Sequence, residues 1–132
     1  MDDNHPILGD LSADQFLAEY WQKKPLLIRN AFPNFELPID GDDLAGLSLE
    51  PTVESRLVVG DTWQVEHGPF DEARFETLPD NNWTLLVQAV DLWVPEVAEL
   101  LNHFDFLPPW RVDDIMVSYA EDGGSVGPHF DH

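Results

Sequence analysis

Between Ile115 and His132 the chain reads as strand, turn and second strand, and the second strand carries a metal-ligand pattern. Ile115-Met116-Val117-Ser118-Tyr119 is rich in β-branched and aromatic residues, the composition of a strand. Glu121 to Gly127 holds three glycines and reads as a turn. The next strand begins near Pro128 and contains His129-Phe130-Asp131. On a strand, residues two apart project from the same face, so His129 and Asp131 can reach one metal ion together. A histidine and a carboxylate so placed are two of the three ligands of a 2-His-1-carboxylate iron site. The third ligand, normally a distant histidine, is absent from these residues. His132 is adjacent to Asp131 and faces the other side of the strand. The expectation is a polypeptide that carries part of an iron site. The same residues also suit a plain hairpin whose second strand has a polar face.

The tripeptide alone decides little. With 5 His and 16 Asp among 132 residues, random placement yields about 0.6 H-x-D matches. A second match, His103-Phe104-Asp105, lies in a different setting. Val97, Leu100, Leu101 and Phe104 fall at i, i+3, i+4 and i+7, which predicts an amphipathic helix over 95–104 with Pro95 in its first turn. At 3.6 residues per turn, His103 and Asp105 would point apart. They are expected to be surface or helix-end residues. His67 has no partner at strand or helix spacing and is expected to be structural or exposed.

The acidic excess is large: 26 Asp and Glu against 6 Lys and Arg, a formal net charge of −20. Such a chain does not bind nucleic acid by neutralising phosphates. Its field suits a solvated surface or a basic partner. No cysteine is present, which excludes disulfides and cysteine-ligated zinc. No signal peptide and no apolar run of membrane-spanning length is visible, so a cytoplasmic location is expected. A length of 132 residues with 43% hydrophobic composition suits one globular domain, and no linker or repeat divides it.

Local signals place further elements. Ser12-Ala13-Asp14-Gln15 has the spacing of a capping box, followed by the apolar stripe Phe16, Leu17, Tyr20 and Trp21. Pro25 is expected to end that helix, and Leu26-Leu27-Ile28 to form a short buried strand. Asp40 reads as the N-cap of a second helix, with Ile39 and Leu44 as a hydrophobic staple. Asp40, Asp42 and Asp43 lack the pattern of a calcium loop and read as a cap with favourable charge. Arg56–Val59 and Trp63–Glu66 flank Gly60-Asp61-Thr62 as a hairpin, and His67-Gly68-Pro69-Phe70 is a turn. Trp83–Val90 predicts a buried strand. Pro108-Pro109 breaks the chain before a strand spanning Arg111 to Tyr119.

Several of these stretches, in order, resemble bacterial JmjC-type, cupin-like ribosomal oxygenases. They are Tyr20-Trp21-Gln22-Lys23-Lys24-Pro25-Leu26-Leu27-Ile28, Asp43–Leu47, Val53–Val58, His67–Phe70, Trp83–Val90, and Trp110–Asp114 through Gly127-Pro128-His129-Phe130-Asp131. The likeness covers nearly all of residues 15 to 131. It implies an α+β fold, with N-terminal helices and strands leading into a double-stranded β-helix (the cupin or JmjC jelly roll) that is cut off after its first strands. Residues 1–132 would then be a single incomplete domain. The implied activity is iron(II)- and 2-oxoglutarate-dependent hydroxylation, at carbon 3, of an arginine in a large-subunit ribosomal protein. On that resemblance His129 and Asp131 are iron ligands and Ser118 lines the cofactor-binding pocket. The distal histidine, the basic residue that grips 2-oxoglutarate and the dimerisation region of the family lie beyond these residues. The full-length family implies a homodimer and a basic ribosomal protein as partner, with no direct contact to nucleic acid or membrane. Two other readings of the chain are an acidic module that binds a basic ribosomal protein without catalysis, and a small cupin-like metal protein that borrows ligands from a second copy.

Overall fold

The computed structural model describes residues 6–130. They form two compact units, each assembled from separate stretches of chain. One contains the residues up to Leu37 together with Glu99–Val112; the other contains Pro38–Ala98 and the chain from Asp113 onward.

In the first unit, α1 spans Ala13–Glu19. Ser12 caps it as its spacing predicts, its Oγ accepting from the Gln15 backbone N–H at 3.1 Å. Gln15 does not complete a capping box; its amide donates to Glu19 Oε2, one turn on, at 3.4 Å. The helix ends at Tyr20, a turn earlier than Pro25, where Tyr20 to Lys24 coil into successive turns and Gln22 takes a positive φ. Leu26–Ile28 forms no strand, which corrects the expected buried strand. Leu26, Leu27 and Ile28 line an apolar groove with Phe16, Phe32 and Phe104; Leu26 and Ile28 are half-buried and Leu27 is 75% exposed. Phe16 stacks on Tyr20 and meets Phe106 edge-on. His103 packs edge-on against Phe32 at 5.0 Å between ring centroids.

The second unit is built on a four-stranded antiparallel sheet in the order β2-β1-β3-β4. These strands are β1 (Ser55–Val59), β2 (Gln64–His67), β3 (Trp83–Val87) and β4 (Val117–Ala120). The hairpin β1–β2 turns through Gly60–Trp63, so Trp63, expected in the strand, sits in the turn with positive φ. Central β3 aligns Leu85 between Leu57 and Tyr119, and Val87 between Ser55 and Val117. Period-2 alternation sends Leu57, Leu85 and Val87 to one face, where they form the core with Leu44, Val53, Val90 and Val97. Helix α2 (Gly41–Ser48) covers that face. Its start matches the sequence reading: Asp40 and Asp43 form a reciprocal capping box at 2.8 and 3.1 Å, and Ile39 and Leu44 are both buried as the staple requires.

Three expected elements are shorter than their patterns suggest. The strand expected over Trp83–Val90 ends at Val87, because Ala89 takes a left-handed φ and Val90 opens a 3₁₀ turn. The stretch 95–104 is α-helical only over Pro95–Ala98 (α4) and tightens to a 3₁₀-helix over Glu99–Phe104. At three residues per turn, Leu101 and Phe104 share a side, and both are half-buried. The last strand starts at Val117 instead of Arg111, because Pro109–Arg111 forms a 3₁₀ turn and pairing with β3 begins at Val117 opposite Val87.

Helix α3 (Glu72–Glu76) is tied to β2 by a bidentate ion pair, with Arg74 Nε on Glu66 Oε1 at 2.8 Å and Nη2 on Oε2 at 2.6 Å. Hydrogen bonding to Arg74 holds the Glu66 carboxyl below its ordinary value of 4.5. The pair's contribution is therefore complete above that pH and is lost as pH falls through the depressed value. Glu66→Gln is expected to flatten the acid limb of stability below pH 4.5. At neutral pH it should cost less than about 1 kcal/mol, since both groups are partly solvated. Urea midpoints across pH 3 to 7 check this; an acid limb of unchanged steepness would contradict it.

Candidate active site

The face of the sheet opposite the core carries Ser118 and His129. Parity places Arg56 and Val58 of β1, Thr84 and Leu86 of β3, and Ser118 of β4 on that face, with Leu86 lying between Arg56 and Ser118. Gln88 and Met116 continue the same rows beyond the strand ends.

The glycine turn after β4 brings His129 to this face. Glu121 N–H donates to Trp83 O at 3.1 Å, and Asn82 N–H donates to Asp122 O at 2.8 Å, which continues the β3–β4 pairing into the turn. Gly124 then passes so close to β3 that a Cβ there would lie 2.4 Å from Trp83 O. Only glycine permits that approach. Thr84 Oγ1 on the sheet meets Ser125 O at 3.4 Å, and Ser125 Oγ accepts from Gly127 N–H at 3.0 Å. Gly127 has φ +73 and lies against the Trp63 indole, where a Cβ would come within 3.0 Å. Its carbonyl, so placed, lies 2.9 Å from His129 Nδ1.

That last contact has a chemical consequence. A carbonyl oxygen only accepts, so neutral His129 carries its proton on Nδ1 and its ligand lone pair on Nε2. Metal-ligating histidines are commonly oriented by such a bond from the other ring nitrogen to a backbone carbonyl. His129 is exposed and, with Ser118, lines a cavity of about 670 Å³. Val58, Val65, Leu86, Met116 and Phe130 form its apolar walls, and Arg56 and Gln88 its polar ones. Arg56 Nη2 contacts Met116 Sδ at 3.8 Å. The Gln88 amide donates to both oxygens of Asp114, at 2.9 and 3.1 Å, and so fixes one wall.

Ser118 and His129 thus meet in one cavity. Asp131, with the expected strand pairing of its side chain and that of His129, lies outside the described residues, as does His132. No strand is formed at 128–130. Among the described residues, no three His, Cys, Asp or Glu side chains gather as a metal site. His103 is exposed at the end of its 3₁₀-helix, and His67 is exposed at the end of β2, as expected of both. Arg56, Gln88 and Met116 were not picked out as cavity residues from the sequence. Their signal was present as two-residue alternation, which puts Arg56 with Val58, Leu86 with Gln88 and Met116 with Ser118 on common faces. The strand order needed to bring those faces side by side was not.

No protein-family model matches the chain. It is 47% identical over 123 residues to the ribosomal protein uL16 3-hydroxylase of Escherichia coli, covering 92% of this chain and 32% of that protein. It is 44% identical over 124 residues to a Haemophilus influenzae protein described as a "Probable ribosomal oxygenase", covering 92% of this chain and 30% of the relative. Solved structures of YcfD, a ribosomal oxygenase from Escherichia coli, superpose with a TM-score of 0.85 at 47% identity over 92% of this chain and 34% of theirs. One holds cobalt and succinic acid, another cobalt and 2-oxoglutarate. The chain therefore spans about a third of the length of the relatives it matches. The fold is that of the corresponding part of YcfD, and over these residues the chain is a homologue of the N-terminal third of bacterial ribosomal oxygenases.

Proposed function

We propose that this chain is the N-terminal part of an iron(II)- and 2-oxoglutarate-dependent oxygenase that hydroxylates an arginine of a basic large-subunit ribosomal protein. In this reading residues 1–132 belong to one incomplete jelly-roll domain of a cytoplasmic, homodimeric enzyme. The carrying observation is the 47% identity to the uL16 3-hydroxylase across 92% of the chain. The geometry agrees with it. His129 presents Nε2 as a ligand atom with its ring held by the Gly127 carbonyl, a tautomer that fits a divalent metal. Asp131 would supply the carboxylate of the same H-x-D motif. With iron bound, the centre supplies oxidative decarboxylation of 2-oxoglutarate coupled to hydroxylation of a C–H bond. Ser118, which lines the cavity, would help orient the co-substrate. Val58, Leu86 and Met116 make that end of the cavity apolar.

The test is a chimera in which residues 10–132 replace the aligned N-terminal third of the Escherichia coli hydroxylase. It is expected to bind cobalt and to add one oxygen atom to a uL16 peptide, read by mass spectrometry, in the presence of Fe(II) and 2-oxoglutarate. A folded chimera that binds no cobalt would overturn the metal assignment. One that binds cobalt and leaves the peptide unmodified would overturn the substrate assignment.

A further inference from the structure

A second cavity, of about 420 Å³, opens on the core side of the same sheet near the start of α2. Trp83, Tyr119 and Phe75 contribute its aromatic walls, and Asp40, Asp42 and Glu121 bring carboxylates to it. No Lys or Arg lines it. Tyr119 and Ser118 are neighbours on β4 and face opposite ways, so this cavity and the one holding His129 lie on opposite faces of the sheet.

The rings are fixed in place before any ligand arrives. The Trp83 indole N–H donates to Pro79 O at 2.9 Å, and the Tyr119 hydroxyl donates to Glu121 Oε1 at 2.5 Å. The two rings sit 5.6 Å apart at 39°. Gly41 lies against the Tyr119 ring so closely that a Cβ would fall 2.9 Å from it. The hydrogen bond to Glu121, and then the charges of Glu121, Asp42 and Asp122, hold the Tyr119 phenol above its ordinary range, which reports a negative field at that hydroxyl. An anion is disfavoured at the helix start, because the carboxylates of Asp40 and Asp43 already accept from two of its N–H groups and Asp42 adds a third negative charge there.

Preset aromatic faces beside carboxylates match one common side chain. A guanidinium is planar, permanently charged and weakly hydrated; it stacks on indole and phenol rings and pairs with carboxylates through its edge. We propose that this cavity binds an arginine side chain of a basic protein partner, away from the residue that reacts. That the partner is the ribosomal substrate rests on the function proposed above; the recognition of arginine does not.

The test uses the full chain without iron, with ¹⁵N-labelled tryptophan so that the Trp83 indole resonance reports binding. The probe is N-acetylarginine amide, with the uncharged isostere N-acetylcitrulline amide beside it. A saturable shift is expected with the arginine probe and none with citrulline. Asp42→Asn with Glu121→Gln should weaken binding by about fivefold or more, the loss of two partly solvated charge contacts. Asp14→Asn with Glu19→Gln, which changes net charge equally in the other unit, should leave it unchanged. Equal shifts by the two probes, or equal weakening by the two double variants, would overturn the proposal. Neither result would bear on hydroxylation by the chimera, so the two readings fail separately.

Discussion

His129→Ala, placed in the chimera, is expected to lower uL16 hydroxylation by about 100-fold or more and to weaken cobalt binding in parallel. Loss of a partner that only orients a metal-bound histidine commonly costs 10- to 100-fold, and loss of the ligand itself should cost at least as much. His129 is the residue to which the whole glycine turn leads. Thr84 anchors Ser125, Ser125 holds Gly127 N–H, and the Gly127 carbonyl holds the imidazole. His103→Ala should leave both quantities within about twofold, because that ring packs on Phe32 in the other unit. Peptide mass spectrometry and cobalt titration check the pair. Equal losses for the two histidines would mean that the wrong H-x-D had been assigned to the metal.

Leu85→Ala is expected to produce a large loss of stability. Leu85 is 1% exposed at the middle of β3, between Leu57 and Tyr119, and packs into the core beneath α2. Removing a buried leucine forfeits its transfer free energy and leaves a cavity, together about 2–5 kcal/mol. Against a total stability on the order of 5–15 kcal/mol, that is enough to shift the urea midpoint strongly or to prevent folding. Val65→Ala, on edge strand β2 and 52% exposed, should change stability by no more than about 0.5 kcal/mol. Urea denaturation of the three proteins settles the order. A Leu85→Ala midpoint close to that of Val65→Ala would show that the sheet is not where the stability lies.

The contrast between Leu85 and Leu27 shows what sequence determined and what it did not. Both are leucines in short apolar runs of strand-like composition. Trp83–Val87 became the central strand because β1 and β4 flank it and supply hydrogen-bond partners on both sides. Leu26–Ile28 has no such partner and forms no strand, with Leu27 75% exposed. A strand requires a second strand, and nothing local states where that second strand will be.

What the sequence determined were features closed within about five residues. The Ser12 cap, the Asp40–Asp43 box with its Ile39–Leu44 staple, and the turn between β1 and β2 depend on groups that cannot avoid one another, so local pattern suffices. The glycine turn that leads to His129 was legible for the same reason, while Asp131 lies outside the described residues. Tertiary structure decided where regular elements stop: at Ala98, where α-helix gives way to 3₁₀-helix and the chain passes from one unit to the other, and at Val117, where β4 first finds Val87. It also decided that Arg56, Gln88, Met116 and Ser118 share a cavity with His129, a residue as many as 73 positions from them in sequence. Alternation along each strand assigns a side chain to a face, but only the pairing order β2-β1-β3-β4 sets those faces side by side, and burial of the opposite face against α2 holds the register that keeps them there.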